Sequence, residues 1–197
     1  MKKIICLVLV LVMALSMVAC ANTNKETAPT TPSTEATTTA PVVNIASAVE
    51  LLNTVWNAFS EDFQFPCVGG DAENMNMEGP GNYAITDTEG LMYTLHVPEA
   101  LLTQITEAAS MMHMMNANTF TGAAYKVTGD MAAFTTSLKD GIASTQWMCG
   151  FPEQLMIANV GEYVVAVYGL KDAVVEFKTK LTAAYETAKV VVDEPIV

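Results

Sequence analysis

Met111-Met112-His113-Met114-Met115 sets four thioethers around one imidazole, soft donors of the kind that suit Cu(I). Asp71, Glu73, Asn74, Asn76 and Glu78 crowd a glycine-flanked loop with the oxygen donors that Ca²⁺ takes. Each has a plainer account. On a helix, Met112 and Met115 continue a stripe through Leu101, Ile105 and Ala108, so adaptable core packing explains them without a metal. The acidic loop departs from the EF-hand pattern, with Met75 at the fifth position, Asn76 at the sixth and Asn82 at the twelfth. Trp147-Met148-Cys149-Gly150-Phe151-Pro152 holds one cysteine, whereas dithiol redox chemistry needs a second to resolve the mixed disulfide. His96 and His113 are the chain's two imidazoles, and there is no Gly-x-Ser-x-Gly elbow and no zinc-ligand spacing. No catalytic residue, metal site or cofactor is assigned from these patterns. The two metal candidates stand as an alternative reading, a receptor for Ca²⁺ at the acidic loop or Cu⁺ at the Met/His helix.

The first twenty residues carry the clearest chemistry. Lys2 and Lys3 precede an apolar run from Ile4 to Ala19, long enough for a signal-peptide core and short for a permanent span. Its end, Met17-Val18-Ala19-Cys20, resembles the lipobox of bacterial lipoproteins, with Met17 where Leu is commonest. That resemblance implies a signal peptide over residues 1–19 and a diacylglycerol on the Cys20 thiol. The chain would then sit at the extracytoplasmic face of the cell membrane, with the membrane as a partner through its anchor. Residues 20–42 are rich in Thr and Pro and poor in large apolar side chains, which predicts a disordered linker. Residues 43–197 make one domain, large enough to bury a core.

Cys67 and Cys149 then remain in the domain. An even pair in an exported domain suggests a disulfide, worth on the order of 4 kcal/mol by chain entropy for so long a loop. Two buried thiols packing as small hydrophobes are the alternative. Charge narrows the partners further. The net charge is −12, every basic residue is lysine, and twelve carboxylates lie between Glu26 and Glu107 without an intervening lysine. Nucleic acid needs a cationic footprint and is excluded; so is arginine-forked recognition of phosphate.

Ser47 and Glu50 have capping-box spacing, and Leu52, Val55, Trp56 and Phe59 follow as a helical stripe ending near Glu61. Phe63 to Tyr83 reads as a long loop, and Leu91 to Val97 as a strand. Pro98 opens a second helix bearing Leu101, Ile105, Ala108, Met112 and Met115. Phe120 to Val127 is a strand, and Asp130 caps a third helix with Met131, Phe134, Leu138 and Ile142 on one face. Leu155–Val160 and Tyr163–Tyr168 form a hairpin about Gly161-Glu162, the second run apolar enough to be central. Asp172 opens a fourth helix with Val174, Phe177, Leu181 and Ala184 inward, and Lys189 to Asp193 adds a short strand. The class is α+β: a mainly antiparallel sheet covered by helices on one face, with strand-helix-strand-strand-helix order in the C-terminal part.

The lipobox, the linker and three stretches of the domain resemble a family of lipid-anchored domains of unknown function in Gram-positive bacteria. The stretches are Phe120 to Val127, Pro152-Glu153-Gln154-Leu155 and Gly161-Glu162-Tyr163-Val164-Val165, within a span from Phe120 to about Leu181. The resemblance implies surface anchoring and an α+β fold, with no activity. The expected role is a non-catalytic binding or structural domain whose partner is an unidentified envelope protein or ligand.

Overall fold

A computed structural model describes residues 44–196; the expected signal peptide, the lipidation site Cys20 and the linker lie outside them. Helix α1 spans Ala48–Trp56. Ser47 Oγ accepts the Glu50 N–H at 3.1 Å, and Glu50 Oε2 accepts the Ala46 N–H at 3.2 Å, so the capping box reaches one residue further back than its usual form.

The strands are β1 (Cys67–Val68), β2 (Gly81–Tyr83), β3 (Ile105–His113), β4 (Phe120–Val127), β5 (Gln154–Val160), β6 (Tyr163–Gly169) and β7 (Lys189–Pro195). They form one antiparallel sheet in the order β1-β3-β4-β6-β5-β7, with β2 also beside β3. β6 is central and buried at every position, as its unbroken apolar run predicts. With α3 (Met131–Ala143) and α4 (Lys171–Ala184), the order from Phe120 onward is that expected from the sequence.

Two expected elements exchange their type. The Met/His stretch is not helical: Ile105–His113 is strand β3, paired on one side with β4 and on the other with β1 and β2. Both of its faces are covered, so no alternation of polar and apolar residues marks it as a strand, and its apolar spacing mimics a helical stripe. Leu91–Val97 is not a strand; helix α2 occupies Thr88–Tyr93, its N-terminus capped by Asp87, whose Oδ1 accepts the Gly90 N–H at 2.9 Å. Leu91 and Leu95, four residues apart, are both buried. The region read as a loop from Phe63 to Tyr83 carries β1 and β2, both paired with β3, and an isolated bridge between Gly69 and Asn76 in the segment connecting them. A Cβ on Gly69 would stand 2.3 Å from the Gly81 amide nitrogen, so two backbones meet where no side chain fits.

Helical cover is wider than the one face expected. Alternate strand residues feed two separate cores. Ala109, Met111, Phe120, Ala124, Val165 and Val167 face Leu51, Leu52 and Val55 of α1 and Phe177 and Leu181 of α4. On the other side, Ala108, Tyr125, Val127, Val164 and Ala166 face Leu91 of α2 and Phe134, Leu138 and Ile142 of α3. Two helices thus sit on each face. The N-terminal part, whose helix count was set by the exchanged elements, supplies one helix to each side.

Candidate functional site

The register places His113, Phe120, Gln154 and Gly169 at one end of the sheet, where Phe120 and Gln154 both pair with Gly169. The chain enters the described fold at the opposite end. There the Ala48 N–H donates to Glu107 Oε1 at 2.6 Å, and Tyr163 Oη donates to Glu107 Oε2 at 3.1 Å. A nine-residue strand such as β3 separates the two ends by about 30 Å.

Three loops build the far end. In the β3–β4 loop, Asn116 Oδ1 accepts the Asn118 N–H at 3.0 Å, ordering a short 3-10 turn at Ala117–Thr119. The same two asparagines reach across to the loop before β5: Asn116 Nδ2 donates to Cys149 O, and Asn118 Nδ2 donates to Met148 O and Gly150 O, at 2.7–3.0 Å. Their grip holds a turn in which Cys149, with φ of 63°, and Gly150, with φ of 128°, both adopt positive φ. The third loop turns from β6 into α4. Gly169 has φ of 152°, and a Cβ there would lie 2.3 Å from Thr119 O, so the junction excludes any larger residue.

Two surfaces result. One is apolar: Met115 is 79% exposed, Met148 79% and Phe151 75%, with Met114 and Leu170 also exposed. The other is a cleft of about 520 Å³ beside it, between the segment Asp62–Phe65 and the start of α4. Its aromatic part is Phe63 with Phe65, whose ring stacks on His113 at 5.3 Å between centroids. Asp62, Glu153, Lys171 and Asp172 are the charged residues of its lining, three acidic and one basic. Glu153 Oε2 accepts the Lys171 N–H at 2.9 Å and so caps α4 from the neighbouring strand connection.

The residues singled out from sequence scatter. Met111 is buried in the core beneath α1 and α4, and Met112 packs against the opposite core, because strand neighbours point to opposite faces. His113 Nδ1 accepts the Met115 N–H at 3.2 Å. The five residues therefore do not converge on one copper-sized centre. In the acidic loop, Asp71 is buried and turned inward. Its oxygens accept the N–H groups of Glu73, Asn74 and Ala84 and the Asn74 side-chain amide, at 2.6–3.0 Å. Burial alone would raise its pKa, but these hydrogen bonds outweigh it and hold the carboxyl below its ordinary value. Asp71 is an organiser of the loop. Among the described residues, no three His, Cys, Asp or Glu side chains gather as metal ligands.

The disulfide considered for Cys67 and Cys149 is not formed; both are free thiols. Cys67 is buried in the α1/α4 core, where loss of hydration pushes its pKa up to about 12, while Cys149 is exposed in the turn held by Asn116 and Asn118. The buried-thiol alternative thus describes Cys67 alone. His96 stands apart from His113, edge-on to Trp147 at 4.9 Å, and burial lowers its pKa.

No family model, curated protein or solved structure matches this chain.

Sequence reading missed Phe65, Glu153, Lys171, Asn116 and Asn118 as parts of one end. The available signal was local: Asn-x-Asn after a methionine run marks a turn, and Leu170-Lys171-Asp172 marks a helix start. Their meeting depends on sheet order.

Proposed function

We propose that this chain is an extracytoplasmic lipoprotein, held to the cell membrane through Cys20, whose folded domain is a non-catalytic binding module. The lipobox-like leader supports the anchoring. Support for binding comes from one observation: Met115, Met148 and Phe151 are three-quarters exposed together at the end of the sheet opposite the entry of the chain. Large apolar side chains gathered on a strongly acidic protein are costly to leave in water, and such groupings mark interaction surfaces. Placed opposite Ala48, they would face away from the point of attachment. An unidentified envelope protein is the partner this surface suits.

The experiment follows the anchor and the surface separately. In a bacterial host, the wild-type chain should take up radiolabelled palmitate and stay in the membrane fraction, and Cys20→Ser should do neither. Surface cross-linking on intact cells should then yield an adduct that Met148→Ser/Phe151→Ser loses while remaining folded and membrane-bound. Unlabelled wild-type protein would reject the anchor; an adduct indifferent to the double substitution would reject the surface.

The cleft favours a second reading, a receptor for a small ligand. Its volume of about 520 Å³ falls in the range of small-molecule sites, and aromatic rings with a few polar groups are the usual lining.

A further inference from the structure

The charge around the cleft bears on which ligand would enter it. α4 begins at Lys171, on the cleft wall, and the N-terminus of a fourteen-residue helix ordinarily attracts anions through its free N–H groups and dipole. Here that attraction is already taken up. Glu153 accepts the Lys171 N–H, and Asp172 sits in the first turn, so two carboxylates occupy the place an anionic ligand would need. Asp62 adds a third acidic residue on the facing segment, against one lysine, Lys171, in the lining. An entering anion would meet like charge. A cation would meet opposite charge.

The apolar part of the lining sets the rest of the ligand. Phe63 and Phe65 offer ring surface, and Phe65 is fixed from behind by Trp56 at 4.9 Å, by Phe120 at 5.1 Å and by the His113 ring stacked on it. A ring held as Phe65 is needs no ordering when a ligand arrives, and aromatic faces attract organic cations.

We infer that the cleft binds a small organic cation, an amine or quaternary ammonium carried on an apolar or aromatic body. The apolar body lies against Phe63 and Phe65, and the cationic head faces Asp62 and Asp172. The inference rests on the small-ligand reading of the cleft and adds the sign of the ligand's charge. No covalent step is involved.

Three probes sharing a phenyl ring test it: benzyltrimethylammonium, benzyl alcohol and phenylacetate. Each is titrated at low salt into the full-length chain in a maltoside detergent, with protein-free micelles as the blank, and binding is followed by saturation-transfer NMR. The expected order is cation above alcohol above carboxylate, with benzyltrimethylammonium about fivefold tighter than benzyl alcohol. Asp62→Asn/Asp172→Asn, both exposed positions, should bring the cation to the level of the alcohol and leave the alcohol unchanged. Phe65→Leu should weaken the cation and the alcohol alike. Equal affinity for all three probes, or preference for phenylacetate, would overturn the cation assignment while leaving a small-ligand cleft. Binding of none would overturn both.

Discussion

The Ala84 N–H donates to Asp71 Oδ2 at 2.6 Å, across thirteen residues of sequence. That bond closes the glycine-rich segment onto the end of β2 and makes an acidic residue, which looked like a metal ligand, into the internal acceptor of its own loop. Asp71→Ala removes the acceptor for three backbone N–H groups and the Asn74 amide together. The expected loss is about 2–4 kcal/mol in urea unfolding at neutral pH. Added calcium should leave the wild-type midpoint unmoved, since binding at this carboxylate would raise it by mass action. A calcium-dependent rise that Asp71→Ala abolishes would restore the metal reading.

Acid should destabilise the domain in a defined window. Hydrogen bonds from Ser60 lower the pKa of Glu176, hydrogen bonding from Lys178 lowers that of Asp193, and in Asp71 the hydrogen bonds outweigh the burial that opposes them. Each folded-state value lies below the unfolded one, so the unfolded chain binds more protons in acid. This contribution is complete above the ordinary carboxylate range, near pH 4, and is lost as pH falls through the folded values. The urea midpoint should fall modestly below about pH 6.5, where the unfolded chain protonates His96, which burial keeps neutral in the fold, and drop more steeply below about pH 4. A midpoint unchanged down to pH 2.5 would contradict it.

The two domain thiols should differ in reactivity. Cys149 is exposed, while Cys67 is buried with its pKa pushed up to about 12, which withholds the thiolate. Maleimide should label Cys149 on the native protein and reach Cys67 only after unfolding, as peptide mapping would show. Cys149→Ser should abolish native labelling of the domain.

Phe177 meets Phe59 at 6.2 Å and Phe120 at 6.0 Å, tying α4 to the chain after α1 and to the sheet. Phe177→Ala should cost about 3–5 kcal/mol in chemical unfolding. Val175→Ala, two residues before it but 40% exposed, should stay within about 0.5 kcal/mol. Equal effects would mean that α4 is not docked by this face.

Much of the C-terminal fold was legible in the residues. Phe120–Val127, the Asp130 cap, the hairpin about Gly161 and the stripe of Val174, Phe177 and Leu181 each carry their own local pattern. Local hydrogen bonding and periodicity suffice there, because consecutive elements pack on one another. The proposed leader and the proposed lipidation of Cys20 rest on sequence alone, on a short apolar run before a cysteine.

The middle of the chain was decided by tertiary structure. Ile105–His113 carries spacing compatible with a helix, and what makes it a strand is the partnership of β4 on one side with β1 and β2 on the other. Burial on both faces erased the alternation that would have announced it. The far end of the sheet was hidden for a related reason. Phe65, His113, Glu153 and Lys171 come from segments far apart in sequence, and only the pairing of β4 and β5 with the end of β6 at Gly169 brings their neighbours into register. A residue's type is set locally; its company is set by which strands share hydrogen bonds.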